Sequence, residues 1–313
     1  MSVNSNLQPI ILVCAADNNY AMPLAVTVCS AFTNIQSDHK IALFVLDGGI
    51  RDFNKRKITK SLNTAQVSIY WIKPDKTIFE NLVLTRHLTL TCYYRLLIAE
   101  LLPQEFDKAI YLDTDMVVTG NLAELWDIDI ADNYVLAVQD DVDLYIGMSD
   151  GLRNYKEVGI SPDCKYFNSG LLVINLQKWR DDDIGRKVIE YIKQNREYVR
   201  NDQDGLNAVL AGKWGELHPR WNVMPRLYDY PSWQDSLFKQ EVYNELLENP
   251  GIIHYTNSPK PWYAGLKAEC KHPKKYLFFQ YLDKTAWSGW RDTFSRRLWR
   301  KFMKVTSLTK VKL

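Results

Sequence analysis

Ile110-Tyr111-Leu112-Asp113-Thr114-Asp115-Met116-Val117-Val118 places two carboxylates, one residue apart, between apolar runs of strand type. A buried strand ending this way presents two negative groups at its tip. Like charges that close repel, and each opposes ionisation of the other. A bound cation relieves the repulsion. Carboxylate oxygens suit Mg²⁺ or Mn²⁺, and such ions recruit substrate phosphates as further ligands. Taken alone, the segment reads equally as a solvated Asp-x-Asp turn, because short acidic pairs are common.

Outward from this segment, strand-like and helical stretches alternate. Ile10 to Ala15 is a buried strand, Pro23 fits the first turn of a helix reaching Thr33, and Ile41 to Leu46 is a strand stopped by Asp47-Gly48-Gly49. A polar helix runs to Leu62, a strand spans Gln66 to Trp71, and a helix spans Thr91 to Leu102. The strand Ala109 to Leu112 then delivers the acidic pair, and Tyr134 to Gln139 is another. This alternation predicts an α/β fold of βαβ units with a mostly parallel sheet. Ligands of such sheets bind outside the carboxyl ends of the strands. That marks Asp17, after the first strand, and Asp113 with Asp115, after the fourth. Asp140 to Lys165 is a polar stretch suited to an active-site loop. Leu176 to Arg200 reads as mostly helical, and Asn201-Asp202-Gln203-Asp204 is a helix N-cap cluster.

The first strand continues as Cys14-Ala15-Ala16-Asp17-Asn18-Asn19-Tyr20, without Gly-x-Gly-x-x-Gly. The chain therefore lacks the glycine cradle that seats a pyrophosphate in dinucleotide-binding folds. Any diphosphate bound here needs a metal to neutralise it.

Composition, with 46% apolar and 24% charged residues, is that of an ordinary soluble globular protein. Five Cys without metal-ligand spacing predict reduced thiols and a cytoplasmic setting. No apolar run approaches the roughly 18 residues of a membrane span, and Met1 to Pro9 lacks the features of a signal peptide. The net charge of +2 hides an asymmetry: residues 284–313 carry nine Lys/Arg against one acid, and the remainder 30 against 36. An acidic body argues against nucleic-acid binding. In the tail, Trp287, Trp290, Phe294, Leu298, Phe302 and Val305 recur at spacings of three and four. Residues 1–283 are thus expected to form the catalytic domain. Residues 284–313 are expected to form a basic amphipathic helix lying on the inner face of a membrane, the alternative being a helix docked on the protein's own acidic body.

Several segments in a fixed order resemble glycosyltransferase family 8, the bacterial galactosyl- and glucosyltransferases related to glycogenin. They are Ala15 to Tyr20, Tyr94-Arg95-Leu96, Tyr111 to Asp115, Phe167-Asn168-Ser169-Gly170 with Asn175-Leu176-x-x-Trp179-Arg180, Asp202-Gln203-Asp204-x-x-Asn207, and His254-Tyr255-x-x-x-x-Lys260-Pro261-Trp262. The likeness is greatest to lipooligosaccharide galactosyltransferases. The resemblance implies a GT-A nucleotide-sugar-binding fold, a UDP-sugar donor, Mn²⁺ (or Mg²⁺), and retention of anomeric configuration.

It also implies roles. Asp113, Asp115 and His254 would ligate the metal; an imidazole ligand suits Mn²⁺ better than Mg²⁺. Lys260 would contact the diphosphate, near Asn257, which stands where a small residue, often Gly, is expected. Asp17, Asn19 and Tyr20, with Ala15 beside them, would hold the uridine. Arg95 would contact the donor sugar, Asn168 would hydrogen-bond the transferred hexose, and Ser169 would border it. Asp202 and Gln203 would flank the reacting carbon. The expected reaction moves galactose or glucose to a saccharide or glycolipid acceptor. An amide oxygen is a poor nucleophile, which favours front-face attack over a double displacement on Asp202.

Two other readings compete. A haloacid-dehalogenase-type phosphatase would use Asp113 as nucleophile and Asp115 as acid and base, but three strand-like runs precede the pair here and His254 to Trp262 would have no role. A sugar-nucleotide-binding protein without catalysis would need the same binding groups.

Overall fold

The structure, a computed structural model, describes residues 8–80, 82, 89–149, 151–263 and 269–290. Strands β1 (Ile10–Ala16), β2 (Ile41–Asp47) and β3 (Val67–Ile72) pair in parallel, and β4 (Lys108–Leu112) joins β1 in the same direction. β5 (Met116–Val118) then leaves this sheet. β6 (Val135–Gln139) and β7 (Phe167–Asn175) extend it beyond β4, with β7 antiparallel to both β4 and β6. β8 (Gly215–Glu216) closes that edge in parallel with β6. The order is therefore β3-β2-β1-β4-β7-β6-β8, mostly parallel, with β7 the reversed member. β9 (Ile252–His254) pairs antiparallel with β5 in a separate ribbon.

The continuous apolar runs follow from burial on both faces. Ile10, Leu12 and Cys14 of β1 point into one core, with α1 (Ala21–Thr33) packed over them. Ile11, Val13 and Ala15 point into the other, against Tyr93, Tyr94 and Leu96. Each fully buried aliphatic side chain contributes about 1.5–3 kcal/mol.

The five strands with expected bounds, β1 to β4 and β6, form within a residue or two of them, and two helical segments differ. The segment expected as one helix from Thr91 winds as a 3-10 helix, Leu90–Leu97, before a short α-helix, Ile98–Leu101. Tyr93, Tyr94, Arg95, Leu96 and Leu97 are all buried, so no single face sets a 3.6-residue period. Leu176 to Arg200 splits into helices Leu176–Asp181 and Ile184–Gln194, because Asp183 is left-handed at φ 50°. Aspartate tolerates that conformation better than most residues.

The predicted C-terminal stripe also changes at its start. Trp287 is buried in the core cluster that includes α1, with the Lys57 ammonium of α2 (Asp52–Lys60) 4.1 Å from its ring centroid. The Ala286 N–H donates to Ser61 Oγ at 2.9 Å, and Trp290 packs at the core's edge. Trp287 is thus committed to the protein's own packing rather than to a lipid-facing stripe. Phe294, Leu298, Phe302 and Val305 lie outside the described residues. Among the described residues, no helix is long and apolar enough to cross a membrane.

The loop between β4 and β5 is clamped on both sides. The Asp113 N–H donates to Gly170 O at 2.8 Å, and the Tyr255 N–H donates to Asp115 O at 2.9 Å. Thr27 Oγ1 of α1, fully buried, shares its proton between Thr114 O (3.1 Å) and Met116 O (2.8 Å), while Ser30 Oγ accepts from Val118 N–H at 2.9 Å. A valine at position 27 would keep the packing and leave both carbonyls without this donor. We predict that Thr27→Val lowers unfolding stability by about 1–3 kcal/mol. Urea denaturation measures it, and an unchanged midpoint would show the clamp is not anchored by this hydroxyl.

Candidate active site

Strand β4 ends at Leu112, so Asp113 and Asp115 emerge at the carboxyl edge of the sheet, as does Asp17 after β1. Asp113 Oδ1 accepts from Arg95 Nη2 (2.9 Å) and from the Tyr111 hydroxyl (2.8 Å). Its other oxygen, Oδ2, faces His254 Nε2 at 4.0 Å. Asp115 Oδ1 lies 3.2 Å from the same nitrogen, and its Oδ2 lies 2.7 Å from Lys260 Nζ. The β5–β9 ribbon makes this meeting: it sets Met116 opposite His254.

One ligand atom from each of Asp113, Asp115 and His254 lies within 4.8 Å of the others. Metal–oxygen bonds of about 2.1 Å would draw such a set together with small side-chain shifts. Two carboxylates and an imidazole suit a divalent ion such as Mn²⁺. The space is also kept clear: a Cβ on Gly170 would stand 2.4 Å from His254 Cε1 and 2.9 Å from Met116 Cε. The residues present therefore fit a divalent metal. Lys260 adds positive charge, donating to Asp115, to Thr256 O at 2.8 Å and to Tyr255 O. Burial works against ionising Asp115, but Lys260 and then His254 outweigh it and hold the carboxyl well below its usual range.

Arg95 is the second hub. Its Nη1 donates to Ser169 O at 2.5 Å, and its Nε lies 2.9 Å from Asp202 Oδ2. That Nε–H, however, is directed to Cys92 O at 3.0 Å, and Asp202 Oδ2 has no hydrogen-bond partner among the described residues. Burial pushes the Asp202 carboxyl up to about 6, opposed by Arg95 and reinforced by Asp113. Gln203 is held at both ends: Oε1 accepts from Ser169 N–H at 2.9 Å and Nε2 donates to Asp140 Oδ2 at 3.2 Å. Asn168 Nδ2 reaches the same Asp140 oxygen at 3.1 Å.

The structure thus joins Asp113, Asp115, His254, Lys260, Arg95, Ser169, Asp202 and Gln203 by direct contacts, and links Asn168 to them through Asp140. The first-strand residues sit apart from that network. Asp17 Oδ1 accepts from the N–H groups of Asn19 (2.8 Å) and Tyr20 (3.1 Å), a turn that shapes the entry to α1. Tyr20 meets Trp262 edge-on at 5.8 Å, and Ala15 is buried beneath. Burial, with Asp115 nearby, raises the Tyr20 phenol far above its ordinary value. Asn257 is exposed and lines a cleft of about 630 Å³ with Tyr228, Tyr255 and His272. Two members were missed from sequence. Asp140 opens the polar stretch already singled out, yet nothing set it above the other acids there. Asn222 lies among Trp- and Pro-rich loops and carried no signal; its Oδ1 sits 3.0 Å from His254 Nδ1.

The sequence profile described as glycosyl transferase family 8 matches residues 11–265. The chain belongs to that family. It is 35% identical to general stress protein A of Bacillus subtilis over 281 residues, 88% of this chain and 94% of the relative. It is 27% identical to the lipopolysaccharide 1,2-glucosyltransferase of Escherichia coli, covering 79% of this chain and 71% of that one. Among solved structures, the galactosyltransferase LgtC, in complex with donor and acceptor sugar analogs, superposes with a TM-score of 0.75 at 30% identity. That match covers 88% of this chain and 96% of LgtC. Family 8 membership and this likeness identify the sheet as a GT-A fold and the chain as a glycosyltransferase. A phosphatase built on Asp113 and Asp115 finds no support in these relationships.

Gly170 gives a direct test of the metal geometry. We predict that Gly170→Ala displaces the His254 ring and weakens Mn²⁺ binding by about 10–100-fold, read by calorimetric titration. Wild-type affinity in a folded variant would show that the ring position does not depend on this glycine.

Proposed function

We propose that the chain transfers a hexosyl group, galactosyl or glucosyl, from a UDP-sugar to a hydroxyl of a saccharide or glycolipid, with retention and with Mn²⁺ or Mg²⁺. The observation that carries this reading is the Asp113–Asp115–His254 group at the carboxyl edge of a family 8 sheet. The named activities of the relatives support the hexose: the E. coli protein is a glucosyltransferase and LgtC a galactosyltransferase. A lipopolysaccharide 1,3-galactosyltransferase of Salmonella typhimurium, 27% identical over 71% of this chain, adds to that support.

Asp113, Asp115 and His254 would hold the metal, which when bound supplies Lewis-acid neutralisation of the diphosphate leaving group. The remaining work falls to this chain's own residues. Lys260, a compact mobile cation, would exchange its bond to Asp115 for the diphosphate. Asp17, Asn19 and Tyr20, with Ala15, would hold the uridine, and Arg95 would approach the donor sugar. Asn168 would hydrogen-bond the hexose, with Ser169 at its border and Asn257 at the outer rim.

For the transfer itself, the acceptor oxygen attacks the anomeric carbon from the face that UDP leaves. The old carbon–oxygen bond breaks toward the β-phosphate, and the acceptor proton passes to that departing oxygen. Asp202, with a buried oxygen that has no hydrogen-bond partner among the described residues, would stabilise the cation-like carbon or bind a sugar hydroxyl. The Gln203 amide is engaged at both ends, which suits a fixed dipole rather than a nucleophile. A double displacement through Asp202 is the competing route, and a trapped glycosyl adduct on that residue would establish it.

The test is UDP release from UDP-galactose and UDP-glucose, with Mn²⁺ and with EDTA. We expect Asp113→Ala, Asp115→Ala and His254→Ala each to lose at least about 100-fold in metal-dependent turnover with native-like melting. Near wild-type turnover in a folded variant would remove that residue from the site, and metal-independent turnover by the wild type would reject the metal reading altogether.

We further propose that the basic, aromatic sequence 291–313 associates with an anionic membrane, bringing the enzyme to a lipid-linked acceptor at the cytoplasmic face. Each cation near such a surface adds about 1 kcal/mol. Deleting 291–313, which spares Trp287, should release the protein from anionic vesicles and leave UDP-sugar hydrolysis intact. Equal sedimentation after the deletion would exclude the tail as the anchor.

A further inference from the structure

The buried side chains between the metal group and the sugar-side residues form one unbroken relay, and its polarity can be deduced. Asp140 is the fixed end. Its Oδ1 accepts from the N–H groups of Val142 (2.9 Å) and Asp143 (3.0 Å), and its Oδ2 accepts from Asn168 Nδ2 and Gln203 Nε2. An ionised carboxylate only accepts, so Asn168 must turn its NH₂ toward Asp140 and its oxygen away. That oxygen accepts from Gly170 N–H at 3.1 Å, which fixes the same orientation independently. It also faces Asn222 at 2.9 Å, so Asn222 must present its NH₂ there. The Asn222 oxygen is then left facing His254 Nδ1 at 3.0 Å. An amide oxygen only accepts, so Nδ1 must carry the proton. His254 Nε2 is then the nitrogen turned to Asp113 and Asp115, with its lone pair available for a metal.

Burial gives this chain its force. Asn222 is 2% exposed, Asn168 7% and His254 3%, so no amide in the relay can turn over without stranding a buried polar group.

We propose that Asn222 is a positioning residue: through the amide relay from Asp140, it sets which ring nitrogen of His254 faces the metal site and couples that ring to Asn168 and Gln203 beside the reacting sugar. The coupling to the sugar rests on the function proposed above; the effect on metal binding does not. Asn168 is the junction, since it would touch the hexose while receiving the Asn222 amide. Partners of a metal-ligating histidine's second nitrogen commonly tune affinity or activity by about 10–100-fold.

Two substitutions separate the two halves of this proposal. Asn222→Ala removes the acceptor from Nδ1 and should weaken Mn²⁺ binding, titrated without any sugar nucleotide, by about 10–100-fold. Asn222→Asp is close to isosteric. It still accepts from Nδ1–H and should keep Mn²⁺ affinity, but it sets a carboxylate oxygen against Asn168 Oδ1 and breaks the link to the sugar side. For that variant we expect kcat of UDP-sugar turnover to fall about tenfold or more, within the same range, with little change in Mn²⁺ affinity. Nitrogen-15 spectra of histidine-labelled, Mg²⁺-loaded wild type should find the His254 proton on Nδ1. Wild-type Mn²⁺ affinity in a folded Asn222→Ala, or a proton on Nε2, would overturn the tautomer role. Wild-type kcat in Asn222→Asp, or loss of its metal affinity together with kcat, would overturn the coupling. If the wild type turned over no UDP-sugar, the proposed function would fail, while the Mn²⁺ titration and the spectrum would still decide the role of Asn222.

Discussion

The mutual repulsion of Asp113 and Asp115 is the constraint around which the other parts are arranged. Held at the end of one strand, the two carboxylates require positive charge from outside their own segment. Arg95 supplies it to Asp113 and Lys260 to Asp115, and the two cations come from widely separated segments of the chain. His254 stands between them, close to an oxygen of each. Each carboxylate thereby has one oxygen committed to a cationic side chain and one turned toward the imidazole. A pair left uncompensated at that depth would resist ionisation and lose its capacity as a ligand set.

Charge alone would not hold this arrangement, because the attraction within a buried pair is largely offset by the cost of desolvating its members. Precision comes from the backbone. The β4–β5 loop is tied to β7 through Gly170 and to β9 through Tyr255, while a helix hydroxyl secures its carbonyls. The reversed strand β7 does double duty. It continues the sheet beside β4 and, at its start, carries Asn168, Ser169 and Gly170 into the site. A parallel strand in that position would bring its far end there instead.

Much of this was legible in the sequence, for reasons that differ by residue. The strands of the first half could be placed because burial on both faces leaves unbroken apolar runs. The Asp pair stood out because two carboxylates close a strand, although the spacing alone also fits a solvated turn. Arg95, Gln203 and His254 became legible only through the order of motifs resembling a known family, since isolated residues of those types have many uses. Asn222 and the role of Asp140 stayed hidden. Their importance lies in which side chains they meet, and those partners are 54 and 32 residues from Asn222, and 28 and 63 from Asp140. The 3-10 segment was hidden for another reason: a stretch buried all round has no polar face to reveal its period. The indole of Trp287 misled for the opposite reason, since an aromatic stripe looks alike whether it covers lipid or the protein's own core.

That indole bears on what the proposed membrane contact would do. Trp287 lies in the core cluster that includes α1 and is capped by Lys57 of α2, so the chain reaches residue 290 from a fixed point on the body. If the sequence beyond it meets a lipid surface as proposed, a slack tether would merely keep the cleft near that surface, free to tumble, and each encounter with an acceptor would begin with an orientational search. A stem seated in the core would restrict that search before the acceptor arrives, so its packing would contribute to the frequency of productive encounters as well as to the stability of the fold.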